Sequence, residues 1–218
     1  MHQGMDRLTD DTTIKLELET VTLEGLLAVP PDAPGIVLFA HGSGSSRHSP
    51  RNNFVAEEIQ QQNIGTLLFD LLTEEEDRDR QRRFDIELLT ERLLSATKWI
   101  RSHEETAGLS IGYFGSSTGA AAALKAAASK ESAISAIVSR GGRVDLAADV
   151  INTITAPTLF IVGGADTQVL ELNKEVFVEL QEPKDLHVVA DAGHLFDGPG
   201  ELEEVAQVAA SWFSDNLI

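Results

Sequence analysis

Leu109-Ser110-Ile111-Gly112-Tyr113-Phe114-Gly115-Ser116-Ser117-Thr118-Gly119-Ala120-Ala121-Ala122-Ala123-Leu124 is the stretch on which the fold turns. A short apolar run ends at Phe114, a Gly/Ser turn follows, and an alanine-rich helical segment starts at once. Gly115-Ser116-Ser117-Thr118-Gly119 fits G-x-S-x-G with Ser117 at its centre. That pattern marks a sharp strand-to-helix turn that exposes a serine hydroxyl, a nucleophile elbow. Ser117 is expected to hold a strained backbone conformation, and Gly115 and Gly119 to avoid collisions across the turn. The helix that follows would aim its first N–H groups and its positive dipole end at charge developing near Ser117. Short Gly/Ser patterns arise by chance in many chains. Here the position between an apolar run and a long helix gives the pattern its meaning.

Outward from the elbow, strand and helix patterns alternate. Upstream lie a continuous apolar strand at 36–40, a helical stretch at 51–62, a strand at 64–69 and a helix at 84–103. Downstream come a strand at 134–138, a short helix at 144–150, a strand at 158–162, a helix at 169–180, a strand at 186–190 and a helix at 202–217. Such alternation predicts an α/β fold, a mostly parallel twisted sheet with helices on both faces. Near the start, 12–19 alternates apolar and charged residues, and 21–29 reads as its antiparallel partner at the sheet edge. Residues 1–11 are expected to form a flexible tail, and 12–218 one domain. The run Glu74 to Arg80 reads as a solvated loop or helix start. Only 17 positions separate Ser139 from Ala156, too few for a large cap over the site.

A serine hydroxyl needs a base to take its proton. With an elbow of this type the partners are expected downstream in the order carboxylate, then histidine. Strand 158–162 runs into Gly163-Gly164-Ala165-Asp166, and strand 186–190 into Asp191-Ala192-Gly193-His194. Asp166 and His194 follow Ser117 by 49 and 77 residues, which leaves room for the intervening strand–helix units. Each stands just past the C-terminal end of a strand, where open α/β sheets bind ligands. Asp145, Asp149, Asp191 and Asp197 are rivals for the carboxylate, and Asp191 could instead brace the histidine loop. Among the other histidines, His2 lies in the tail, His103 at a helix end, His187 in a strand, and His41 and His48 in the loop after strand 36–40. The developing oxyanion needs N–H donors. One is expected from the backbone of Thr118. The other is expected from His41-Gly42-Ser43-Gly44-Ser45-Ser46, at Ser43 or failing that Gly44. A phosphate loop is disfavoured there, because neither G-K-[ST] nor a third glycine completing G-x-G-x-x-G is present.

The chain has 218 residues, 42% of them hydrophobic, enough for a sizeable core. No apolar segment approaches the ~20 residues of a membrane span. The start of the chain lacks the apolar stretch of a signal peptide, and with no cysteine there are no disulfides or thiolate metal sites. These features fit a cytoplasmic protein with no cofactor and no metal. Thirty-five acidic against 17 basic residues give a net charge of −18, which disfavours nucleic acid and anionic lipid as partners. The expected partner is a small-molecule ester, and the protein itself is expected as a monomer or homodimer. Arg47, Arg51, Arg140 and Arg143 all fall near C-terminal strand ends. They could brace loops by pairing with Asp70, Asp145 or nearby glutamates, or they could bind an anionic substrate group.

Taken in order, H-G-S-G-S-S from His41, G-S-S-T-G around Ser117, G-G-A-D ending at Asp166 and A-G-H ending at His194 resemble the α/β-hydrolase fold. The capless layout resembles its dienelactone hydrolase-like branch, and the resemblance spans about 12–218. It implies a serine hydrolase acting on a carboxylic ester, lactone or thioester. Dienelactone hydrolases proper use a cysteine nucleophile, whereas this chain has Ser117 and no cysteine. The stretch from His41 to Asn52 also resembles hydrolase domains found joined to phosphoribosyltransferases. The other readings kept open are a non-catalytic binding domain on the same fold and an acyltransferase.

Overall fold

The computed structural model describes residues 11–130, 133–181 and 183–217. Residues 1–10 of the expected tail lie outside the described residues. The elements follow the chain as β1 (Thr12–Glu17), β2 (Thr22–Ala28), β3 (Gly35–Ala40), α1 (Pro50–Gln61), β4 (Gly65–Phe69), α2 (Glu74–Asp77), α3 (Arg80–Arg83), α4 (Ile86–Ser102), β5 (Ser110–Ser116), α5 (Thr118–Ala128), β6 (Ala136–Arg140), β7 (Thr158–Gly163), α6 (Thr167–Phe177), β8 (Lys184–Val189) and α7 (Glu201–Asn216). The strands form one sheet in the order β1-β2-β4-β3-β5-β6-β7-β8. The β1–β2 and β2–β4 pairs are antiparallel, and every other pair is parallel.

The apolar pattern explains the layers. All six residues of β3 are buried, because a strand covered on both faces has no wet side. Helices α1 and α7 cover one face through Val55, Ile59, Val205, Ala209 and Phe213. Helices α4 and α5 cover the other through Leu89, Leu93, Ala122 and Ala126, with α6 beside them. Because Ala120 to Ala123 are fully buried, α5 lies close against the sheet. At the edge, β1 buries only Leu16 and leaves Lys15 and Glu17 in solvent, as its alternation predicts.

Several local expectations change, three of them beside Ser117 and the strand that follows it. The elbow strand runs on to Ser116 rather than ending at Phe114. The next strand is Ala136–Arg140 rather than 134–138, because its parallel neighbours extend it: Ser116 pairs with Arg140 on one side and Ile161 on the other. The segment at 144–150 is a 3-10 turn over Val144–Ala147 followed by a second at Ile151–Thr153, not an α-helix. These two turns fill the β6–β7 connection, so no large cap is inserted there.

Between β3 and β5 the winding reverses. From β3 the chain crosses to β4 on one side over α1, then returns to β5 on β3's other side over α4. The loops leaving β3 and β5 therefore diverge, and the crevice between them is the natural ligand position in an open α/β sheet.

Candidate active site

Ser117 stands at that crevice, between the last residue of β5 and the first of α5. Its backbone is strained, with φ 51° and ψ −121°, an uncommon conformation for a residue with a Cβ. The surroundings hold it there. Ser117 N–H donates to the Arg140 carbonyl at 3.2 Å, and its own carbonyl accepts from Ala120 N–H at 3.1 Å and Arg143 N–H at 3.0 Å. The elbow glycines are sterically required. A Cβ at Gly115 would lie 2.5 Å from the Ala120 Cα, and one at Gly119 would lie 2.0 Å from the Ala40 carbonyl oxygen. Gly119 therefore relieves contact with β3 rather than across the elbow itself.

Asp166 and His194 are brought together. Asp166 follows β7 and begins α6; His194 follows β8 in the next loop. The His194 Nδ1 and an Asp166 carboxylate oxygen are 2.7 Å apart. The Asp166 side chain is 16% exposed and that of His194 is 40% exposed. The imidazole lies over Gly141, where an added Cβ would sit 3.4 Å from its Cε1 and Nδ1. Gly141 directly follows β6, so Ser117, Gly141 and His194 share one end of the sheet. With Nδ1 facing the carboxylate, Nε2 is the nitrogen left to exchange a proton. The Ser117 hydroxyl itself makes no hydrogen bond among the described residues. Catalytic bonds of this kind often tighten only when substrate is bound.

The loop after β3 lies against Ser117: a Cβ at Gly42 would sit 3.1 Å from the Ser117 Cβ. Ser43 N–H points across to α5 and donates to the Thr118 hydroxyl at 3.0 Å. Thr118 N–H, in the first turn of α5, has no partner among the described residues. The two expected donors are thus adjacent, with the Thr118 hydroxyl holding the Ser43 N–H. Sequence reasoning gave His41 no role beyond opening this loop. The structure makes it the loop's anchor. Its Nε2 accepts from Leu71 N–H at 3.1 Å, so Nδ1 carries the proton and donates to the Gly42 carbonyl at 3.0 Å. Burial pushes its pKa below the ordinary value, outweighing the Gly42 bond and the nearby Asp70 and Asp77, so the ring is neutral. The only hint in the sequence is that a histidine ends a fully apolar strand.

The four arginines separate. Arg47 forms ion pairs with both Asp70 and Glu24, and its backbone N–H donates to Asp70 at 2.8 Å. Arg143 forks onto Asp145 through Nε at 2.9 Å and Nη2 at 2.8 Å. Arg51 reaches Asp197 at 2.7 Å, tying the start of α1 to the histidine loop. Arg140 has no carboxylate partner among the described residues. Its Nη1 is sealed from solvent without a hydrogen bond, and its guanidinium lies 5.8 Å from the Phe114 ring centre. Burial first, and the neighbouring charge of Arg51 second, pull its pKa down to about 10. A separate cleft of about 460 Å³, lined by Glu24, His41, Arg47, Asp70 and Asp77, opens beside the β3 loop. None of Ser117, Asp166 or His194 lines it. Among the described residues no group of three or more His, Asp and Glu side chains is arranged to hold a metal, and no helix is long and apolar enough to cross a membrane.

Comparison with known proteins identifies the family of the fold. The family model for the alpha/beta hydrolase domain matches residues 33–211. This chain belongs to that family. Over 207 residues the hydrolase domain is 52% identical to a protein of Mycobacterium tuberculosis named putative phosphoribosyl transferase, covering 95% of this chain and 47% of that protein. The chain thus spans about half the length of the curated relatives it matches. A crystal structure described as dienelactone hydrolase from Anabaena variabilis is 48% identical, with a TM-score of 0.93, and covers 97% of this chain and 100% of that one. An esterase from Pyrococcus furiosus shares the fold at 18% identity and a TM-score of 0.80, covering 98% and 94% of the two chains.

Proposed function

We propose that this hydrolase domain is a serine hydrolase that cleaves a carboxylic ester, lactone or thioester through an acyl-enzyme. The observation that carries the reading is the 2.7 Å pairing of His194 Nδ1 with Asp166, set at the same sheet end as a serine in a strained elbow. Ser117 Oγ attacks the acyl carbon while His194 Nε2 takes its proton. Asp166 holds the ring in the tautomer with Nδ1–H and stabilises the imidazolium. The backbone N–H groups of Thr118 and Ser43 receive the oxyanion, which replaces the Thr118 hydroxyl as acceptor for Ser43. As the tetrahedral intermediate collapses, His194 returns the proton to the leaving alcohol or thiol. Water then attacks the acyl-enzyme, giving its proton to His194, and Ser117 is released with the acid. No step calls for a metal or a cofactor, and the partner is a small-molecule substrate.

The name of the mycobacterial relatives favours a second reading, in which this domain only accompanies a transferase. Those proteins are about twice the length of the matched segment, so hydrolysis can reside in the matched part whatever the remainder does. The two readings separate in one experiment. The purified protein is expected to hydrolyse a small activated ester such as p-nitrophenyl acetate and to be labelled by a fluorophosphonate at Ser117. Ser117→Ala is expected to lose the label and ~10⁴-fold or more of the rate while keeping its melting temperature. An unlabelled wild type, or a Ser117→Ala variant with a tenth of the activity, would refute the assignment.

A further inference from the structure

The chain carries about two acidic residues for each basic one, 35 against 17. Arginines near the site have accordingly found carboxylates: Arg47 has two, Arg51 and Arg143 one each. Arg140 has none among the described residues, although its Nη1 is sealed from solvent without a hydrogen bond. It is the last residue of β6 and the strand partner of Ser116, and its carbonyl receives the Ser117 N–H. The residue after it supports the His194 ring. On its own face of the sheet the guanidinium meets the Phe114 ring and the positive charge of Arg51, which is itself tied to Asp197 three residues past His194.

An enclosed guanidinium without an anion is costly, and a second cation beside it raises the cost. The aromatic face of Phe114 offsets one side only. We propose that Arg140, with Arg51 beside it, binds an oxyanion carried by the substrate, so that the hydrolase prefers anionic esters. This rests on the reading of Ser117 as nucleophile for its catalytic meaning, but not for anion binding itself. The planar fork donates to two oxygens of one group, a geometry that carboxylate and phosphate share. The other three arginines, already paired, brace the loops around that position, with Arg51 doing both.

Two readouts test this on the whole chain. The first needs no turnover. Melting temperature is measured with inorganic phosphate, with succinate, and with chloride at matched ionic strength. The wild type and Ser117→Ala are expected to melt higher in phosphate or in succinate than in chloride, and the anion that acts tells the two chemistries apart. Arg140→Met, which keeps the apolar stem, is expected to lose the response, and Arg140→Lys to keep part of it. The second readout is selectivity, the ratio of kcat/KM for a hemisuccinate or phosphorylated ester to that of its neutral counterpart. This ratio is expected to fall at least 10-fold in Arg140→Met through KM, and to stay at the wild-type value in Arg78→Gln, a surface control. If Arg140→Met does not fold, the wild type and Arg140→Lys decide. A wild type that responds to neither anion beyond chloride would overturn the proposal, as would a response or a ratio unchanged by substitution at Arg140. A wild type that hydrolyses no ester yet keeps the anion response would instead overturn the assignment of Ser117 and leave the anion site standing.

Discussion

At the scale of single residues, His41 shows how a buried polar side chain couples the loop to pH. Its ring is neutral, accepts from Leu71 and donates to Gly42, and burial keeps its pKa below the ordinary 6.5. The unfolded chain takes up a proton near 6.5 that the folded protein refuses until the pH is lower. Stability is therefore complete above that value and drains as pH falls from about 6.5 toward the depressed folded value, by ~1.4 kcal/mol for each unit of the shift. Melting temperature measured from pH 7.5 to 5 is expected to fall more steeply for the wild type than for His41→Gln. Glutamine can still accept from Leu71 N–H but does not titrate. Parallel slopes would mean that the ring is not buried as a neutral group. Residues of this kind were only partly legible in the sequence. Ser117, Asp166 and His194 could be picked out because each ends a strand pattern in the order that an elbow demands. The partners of the arginines were legible in part: Asp70 and Asp145, among the carboxylates expected to brace the loops, pair with Arg47 and Arg143, whereas Asp197, 146 residues from Arg51, could not be read because pairing is settled by space.

At the scale of elements, the short helices α2 and α3 show what a charge run can do once it is folded. Read as sequence, Glu74 to Arg80 is a solvated stretch. In the structure Thr73 and Glu76 form a reciprocal cap on α2, and Glu76 then pairs with Arg92 of α4 at 2.7 Å. Those two side chains are only 11% and 9% exposed, whereas Arg82, also on Glu76 at 3.1 Å, is 51% exposed. Burial works against the Glu76 charge, but the Thr73 N–H and then Arg92 outweigh it, holding its pKa below the ordinary value. Burial of the pair decides the size of the effect. Glu76→Ala strands the enclosed Arg92 charge and is expected to cost roughly 3 kcal/mol, while Arg82→Ala is expected to cost less than about 1. Urea unfolding of the two variants checks this, and equal losses would refute the distinction. Element type was legible wherever the apolar period was strong, as in α4 or β3. Element ends were less so: apolar Ile134 suggested an early start to β6, but the parallel neighbours decide its span and carry it to Arg140.

At the scale of the whole molecule, the single tyrosine reports on the core. Tyr113 of β5 is fully buried, its hydroxyl 2.6 Å from that of Thr97 on α4. Burial pushes its pKa well above the ordinary value of 10, more than the Thr97 bond and the Arg101 charge lower it. The folded protein thus favours the neutral phenol, and stability is lost as pH rises past the unfolded value. Absorbance at 295 nm is expected to show no tyrosinate in the native protein at pH 10.5, and to show it at once in urea at the same pH. Native ionisation there would mean an open core. The order of the strands has a further result. Ser117 and both candidate oxyanion donors stand at the ends of β3 and β5 and on the helix packed against them, each strand held by two neighbours, whereas His194 hangs from β8, which pairs with β7 alone. Edge elements open at lower free energy than interior ones. Warming is therefore expected to loosen the hold on His194 before the molecule melts while Ser117 remains in place, so that ester hydrolysis falls below the melting temperature and returns on cooling.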